Sequence, residues 1–123
     1  MFKIIDQAPD TIEWPVSVGV PADGGKIRKF EFTGMFKRRN QDDRDDAAKQ
    51  AEDSDPAEWV ENFVDRIKDI MVGWSGVSDA DGNALPFSIP NLRKACRSVT
   101  GPALIVGINK AVSEYEFGTK VKN

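Results

Sequence analysis

The segment Thr11–Val20, TIEWPVSVGV, sets Ile12, Trp14, Val16, Val18 and Val20 alternately against Glu13, Pro15, Ser17 and Gly19. Side chains on a strand point to opposite faces in turn, so this period of two gives one apolar and one wet face. Such a strand needs a second layer of structure to cover its apolar side. Pro15 has no N–H to give a neighbour, which places the strand at a sheet edge or turns that position outward. Pro21-Ala-Asp-Gly-Gly25 then offers turn chemistry throughout. KIRKFEFTGMFKRR reads as a second strand with Phe30, Phe32 and Phe36 on one face. Ile27 is out of phase with those phenylalanines and predicts a bulge or a frayed start. Residues 11–37 therefore read as an antiparallel hairpin.

Composition changes at Asn40. From Asp42 to Glu58 there are eight acids against Arg44 and Lys49, and only Ala47, Ala48 and Ala51 offer an apolar side. Asn40 can cap a helix whose first turn holds Asp42 and Asp43, where the helix dipole favours negative charge. With so little to bury, segment 40–54 reads as a short solvated helix or a mobile connection. Asp55-Pro-Ala-Glu58 is a helix start, with Asp55 as N-cap, Pro56 in the first turn and Glu58 at N3. Behind it Trp59, Val60, Phe63, Val64, Ile67, Ile70 and Met71 recur at three and four spacing, which predicts a helix over 56–72 ending before Gly73. Ser88 caps a short helix to about Ser98, with Leu92, Ala95, Cys96 and Val99 on its apolar side. Thr100-Gly-Pro102 begins another, to about Phe117, faced by Leu104, Ile105, Ile108, Ala111, Val112 and Tyr115. Gly118 stops it, leaving 118–123 as a flexible tail. Strands first and helices after reads as α+β, a hairpin or small sheet followed by a helical part of three to four helices over 55–117. The 123 residues are of a size for one domain.

Several function classes are excluded or disfavoured. The chain has no histidine, so a Ser-His or Cys-His nucleophilic pair and a His-ligated zinc are out of reach. Nothing singles out carboxylate, lysine or tyrosine acid–base work, and the expectation is a non-enzyme without cofactor. A net charge of −3 argues against a general nucleic-acid binder. No apolar run is long enough to span a bilayer. MFKIIDQAPD carries Asp6 and no apolar core, unlike a signal peptide. One cysteine, Cys96, suits a reducing cytoplasm.

Four features invite a chemical reading. Asp79-x-Asp81-x-Asn83 matches the first ligand positions of a calcium loop, but that loop wants glycine sixth and glutamate twelfth, where this chain has Ala84 and Pro90. A tight turn at Gly82 explains the run better. Cys96, with Arg93, Lys94 and Arg97 around it, is either a thiol of lowered pKa or a small buried hydrophobe, and its apolar helix side favours the second. The basic run Lys26, Arg28, Lys29, Lys37, Arg38 and Arg39 suits a nucleic-acid backbone or a solvated strand face neutralised by the acids of 42–58, with the latter favoured. Trp14, Trp59 and Trp74 suit a core, while Trp74, Leu85 and Phe87 could also form a patch gripping a partner helix.

Taken together, the tryptophan strand, the phenylalanine strand ending FTGMFKRR and the run VDRIKDIMVGWSGVSDADGNALPFSIPNLRKAC resemble the tail assembly chaperones of long-tailed bacteriophages. Trp74 to Leu92 carries most of the likeness, which extends from Thr11 to Tyr115. The resemblance implies a cytoplasmic phage or prophage protein, absent from the finished virion, that coats the long helical tape-measure protein and keeps it soluble until tube protein displaces it. It also implies a frameshifted longer product that recruits the major tail tube protein, and Lys122-Asn123 is compatible with a slippery codon pair. Such a task asks for a reversible apolar groove with a charged rim. Helices 56–72 and 102–117 would supply it through Trp59, Phe63 and Tyr115, with Trp74, Leu85 and Phe87 beside them and the acids of 42–58 as rim. Self-association fits the same surfaces. The competing readings are a structural tail component, terminator or connector, and a small regulatory or nucleic-acid-binding module using residues 26–39.

Overall fold

A computed structural model describes residues 1–5 and 11–119; the expectations for Asp6 and for 120–123 fall outside them. The chain is α+β. Strands β1 (Thr11–Ala22), β2 (Lys26–Lys37) and β3 (Met71–Ser75) form an antiparallel sheet in that order. Helices α1 (Gln41–Glu52) and α2 (Trp59–Ile67) lie between β2 and β3, and α3 (Ile89–Cys96) and α4 (Gly101–Phe117) follow.

β1 and β2 pair without interruption from Thr11↔Lys37 to Ala22↔Lys26, around a turn in which Gly24 and Gly25 take φ of 79° and 76°. Only glycine enters that region without strain, so the turn chemistry in the sequence fixes the register of the whole hairpin. The alternation in β1 does what it predicts: Val16 and Val18 are buried and Ile12, Trp14 and Val20 pack partly against the core. β1 lies at the sheet edge, where Pro15 is tolerated. Phe36 is fully buried, whereas Phe30, on the same face, is exposed. The hairpin therefore outruns its own core toward the turn. Neither the bulge nor the frayed start expected at Ile27 is seen, since Pro21↔Ile27 and Ala22↔Lys26 pair in register; an irregularity falls instead between Met35 and Phe36 where β3 joins.

β3 corrects the predicted helix over 56–72. Pro56–Glu58 forms a single 3-10 turn capped by the Asp55 carboxylate on the Ala57 N–H, and α2 then stops at Ile67. Ile70 and Met71 are buried as a helical stripe would bury them, but from an extended chain that pairs with β2 at Thr33–Phe36. The free edge of β2 explains the change. Lys37 N–H donates to the Ile70 carbonyl at 2.7 Å, and Gly73 admits the Met35 side chain closely. A short apolar run cannot be told apart by periodicity alone, and a waiting strand edge decides it.

The stretch 73–88 carries the tight turn expected at Gly82. It leaves β3 and makes a small tight loop, with Ser78 bridged to Ala84, Leu85 N–H on the Val77 carbonyl at 2.9 Å, and Gly82 at φ 85°. The Asp79 carboxylate accepts the N–H groups of Asp81 and Asn83, both at 2.9 Å, which spends it on the turn. Ser88 caps α3 through the Asn91 N–H, and α3 ends at Cys96, before the expected Ser98, leaving Val99 fully exposed.

α1 is a helix with no buried residue. Its capping box is complete: the Asn40 side chain accepts the Asp43 N–H and the Asp43 carboxylate accepts the Asn40 N–H. It is tied down by Arg44, which donates to the Arg39 carbonyl at 3.0 Å and lies 3.5 Å from Glu116 of α4. Arg39 holds the same carboxylate in a two-pronged pair at 2.8 and 2.9 Å. This hydrogen bonding holds the Arg39 pKa above its ordinary value. At this end of the hairpin, then, basic residue and acid meet across β2 and α4.

α4 is the long cover of the sheet and lies against β1. Ile105, Ile108, Ala111 and Val112 enter the core, and Gly118 ends the helix at φ 66°. Gly107 is the point of closest approach: a Cβ there would stand 2.5 Å from the Ser17 carbonyl oxygen and 3.4 Å from Val16. Alanine gains about 1 kcal/mol of helix propensity over glycine, but this overlap with backbone outweighs it. Gly107→Ala is expected to lower stability by about 1–3 kcal/mol through overpacking. Val106→Ala, one residue away and solvent-facing, should stay within about 0.5 kcal/mol of the parent. Urea unfolding of both variants measures the contrast.

Candidate functional site

The packing of α4 on β1 at Gly107 leaves a groove alongside. Toward the hairpin turn, β1 and β2 extend past the core, and the first half of α4 rises beside them. Between them lies a cavity of about 660 Å³, with Val20, Pro21 and Ile27 on the hairpin side and Val99, Pro102, Ala103 and Val106 on the helix side. Ile27 is 57% exposed and Val106 66% exposed, although both are large and apolar. Two lysines, Lys29 and Lys110, belong to the lining, and no acid does. Gly19 lets the Ile27 side chain lie flat across β1, since a Cβ there would stand 3.0 Å from Ile27 Cγ2. Apolar surface gathered in a groove with a polar rim is the mark of a contact surface, whereas scattered single apolar residues are not.

The residues picked from sequence lie elsewhere. Trp74 is buried, donates its indole N–H to the Leu85 carbonyl at 2.8 Å, and meets Phe87 and Phe32 edge to face with ring centres 5.0 and 6.2 Å away. Leu85 and Phe87 are half-buried against the core, so these residues anchor the 77–87 loop to the sheet. Phe63 is buried in α2 beside Val64 and Ile67. Tyr115 packs on Phe36 at 5.3 Å and on Trp14 at 6.4 Å, with its hydroxyl on the Lys37 carbonyl at 3.1 Å. Of the six, Trp59 alone is exposed, at 48% at the start of α2. The apolar stripes expected to form a groove between 56–72 and 102–117 are mostly consumed by the core, and the open groove lies on the other side of α4.

Ile27, Val99 and Val106 were missed as site residues, yet signals existed. Ile27 breaks the phase of β2. Val106 stands off the apolar stripe of its helix. Each is a large apolar residue where the pattern calls for a polar one, and such mismatches mark exposed contact surface.

Among the described residues no cluster of three or more acids or cysteines is placed to hold a metal. Cys96 is buried, and desolvation pushes its thiol up to about 11, away from reactivity, despite Arg93, Lys94 and Arg97 nearby in sequence. The Glu61 carboxylate, between Arg97 at 2.6 Å and Arg93 at 3.1 Å, is held below its ordinary pKa by hydrogen bonds, first of all that from Arg97, and clips α2 to α3. Comparison of the chain with protein families, with curated proteins and with solved structures gives no match in any of the three.

Burial also raises the Tyr115 hydroxyl well above its ordinary value. Both Cys96 and Tyr115 are thus easier to ionise unfolded than folded. Their contribution to stability is complete below the ordinary values, about 8.5 for the thiol and about 10 for the phenol, and is lost as pH rises through the folded ones. The urea midpoint should hold from neutral pH to the thiol's ordinary value and fall progressively above it. Tyr115→Phe is expected to lose about 1 kcal/mol at neutral pH for the missing hydrogen bond, while flattening the alkaline fall.

Proposed function

We propose that this chain is a non-enzymatic tail assembly chaperone of a phage or prophage, which binds the tape-measure protein and keeps it soluble. The observation that carries the reading is the groove between the hairpin and α4, together with the resemblance of Trp74–Leu92 and its surroundings to that family. A long helical rod presents apolar ridges before its tube surrounds it. A shallow apolar channel lined on one side by α4 can take such a ridge and release it, because only a modest area is buried per contact. Work of this kind needs no catalytic group. No helix among the described residues is long and apolar enough to cross a membrane. The chaperone acts in the host cytoplasm and leaves before the particle is complete, and a frameshifted longer product is the form that recruits the major tail tube protein.

Co-expression with the tape-measure protein, which this reading places in a long helical reading frame downstream, tests this. The two should co-purify, and the tape-measure protein should move from the pellet to the soluble fraction. Val106→Asp, at an exposed position, should leave the fold intact and weaken the complex at least tenfold, about 1.4 kcal/mol. No complex and no gain in solubility would overturn the reading. Mass spectrometry of purified particles should find the chain missing; its presence there would make it a structural tail component instead.

A further inference from the structure

Two surfaces of this chain are unlike and complementary. One is the groove, with Ile27, Val99 and Val106 among its apolar lining, Lys29 and Lys110 beside them, and no acid there. The other surrounds Trp59, which is about half exposed to solvent. Around it in sequence lie Asp53, Asp55 and Glu58, all exposed, and just before them is α1, with five acids against Arg44 and Lys49 and no buried residue. α1 packs against α2, which Trp59 begins. The chain therefore carries an aromatic knob in anionic surroundings and, separately, an apolar hole with cations on its lining.

We propose that the groove is filled, in the free protein, by Trp59 of a second copy, with the acids of α1 and of the 53–58 turn lying toward Lys29 and Lys110. This rests on the groove being the partner-binding surface and adds a regulation of it: copies shield one another's grooves until the larger partner displaces them. Three observations bear on it. The hole and the knob are opposite in charge, since the five carboxylates of α1 outnumber its own cations, Arg44 and Lys49, and the groove is lined by lysines. A half-open tryptophan is a costly thing to leave in water, and buried tryptophans rank first among the residues that carry binding energy. Finally, Trp59 takes no part in lining the groove, so the contact joins unlike surfaces and can be made twice in a reciprocal pair or once per copy in an open chain.

Self-pairing of the hairpin edge is the less favoured geometry. Among the described residues β3 covers β2 only at Thr33–Phe36, which leaves Lys26 to Phe32 without a strand on that side, but Lys26, Arg28 and Lys29 would then face their own copies. Lysine-rich edges repel such pairing. The acidic surface of another copy meets no such repulsion.

Sedimentation velocity of the free, purified chain tests the proposal. At low ionic strength the wild type should self-associate, and raising salt from about 0.05 M to about 0.5 M should shift it toward monomer as the charges are screened. Trp59→Ala and Val106→Asp change exposed positions, and each alone should weaken association tenfold or more while circular dichroism and thermal melting stay near those of the parent. Mixing the two variants is the decisive step. Trp59→Ala keeps an intact groove and Val106→Asp an intact knob, so the mixture should form one-to-one pairs that neither variant forms with itself. A monomeric wild type, association untouched by Trp59→Ala, or a mixture that stays monomeric would each overturn the proposal. None of these outcomes bears on whether the tape-measure protein binds, because that partner is absent from the experiment. A complex in co-expression with a monomeric free chain would leave the proposed function standing and this regulation refuted.

Discussion

The contact between Gly107 of α4 and the backbone of Ser17 organises the rest of the molecule. Because no side chain stands between them, α4 sits close enough to β1 for Ile105, Ile108 and Ala111 to reach the same core as Val16, Val18 and Phe36. Close packing of this kind sets position to a fraction of an ångström, since dense interiors do not slide continuously. Once α4 is fixed there, the neighbouring Val106 must face outward, and the hairpin beyond Gly19 has no helix to lie on. The groove is thus a by-product of where the helix is pinned. Gly101 serves the same geometry at the start of α4. A side chain there would collide with the Cys96 carbonyl, so the bend between α3 and α4 depends on its absence.

Charge pairs then set the orientation of the outer elements. Glu116 receives Arg39 from the end of β2 and Arg44 from α1, so one carboxylate joins strand, helix and helix. Glu61 does the same for α2 and α3 through Arg93 and Arg97. Exposed pairs add little to stability, with a median under about 1 kcal/mol, and these are better understood as fixing direction. Arg39 and Glu116 are the less exposed of the two sets. There the geometry is bidentate, which adds directional preference that a single contact lacks. The consequence for α1 is that one cation, Arg44, faces the body of the protein while the five carboxylates of that helix remain largely in solvent.

How far the sequence could be read depended on whether the deciding interaction was local. The hairpin was legible because alternation in β1 and the Asp23-Gly24-Gly25 turn are local signals that agree. The caps at Asn40, Asp55 and Ser88 and the stop at Gly118 were legible for the same reason. β3 was not. Its five residues follow a helical stripe in phase, and only the vacant edge of β2, far away in sequence, turns them into a strand. The site was hidden by the same nonlocality. Trp74, Leu85 and Phe87 are large and aromatic or aliphatic whether they bind a partner or hold a loop down, and the folded chain spends them on the loop. Ile27 and Val106 gave the opposite signal, being apolar where the local pattern wants polar residues. That discrepancy points to surface function more sharply than hydrophobicity does.

A holding surface must bind many similar ridges and then let them go. Deep, polar pockets suit the reverse task, because a misplaced polar group left unpaired there costs specificity and affinity together. The groove beside α4 is open and mostly apolar, with flexible lysines in its lining and backbone glycine beneath it at Gly19 and Gly107. Lysine, unlike arginine, presents a point charge on a mobile stem and tolerates varied partner geometry. The same tolerance creates a hazard: an open apolar groove also accepts the wrong occupant, including exposed apolar residues of its own kind. In the proposed pairing, the carboxylates around Trp59 turn that hazard into one defined, salt-sensitive contact between copies. In such a pairing specificity would come from charge arrangement.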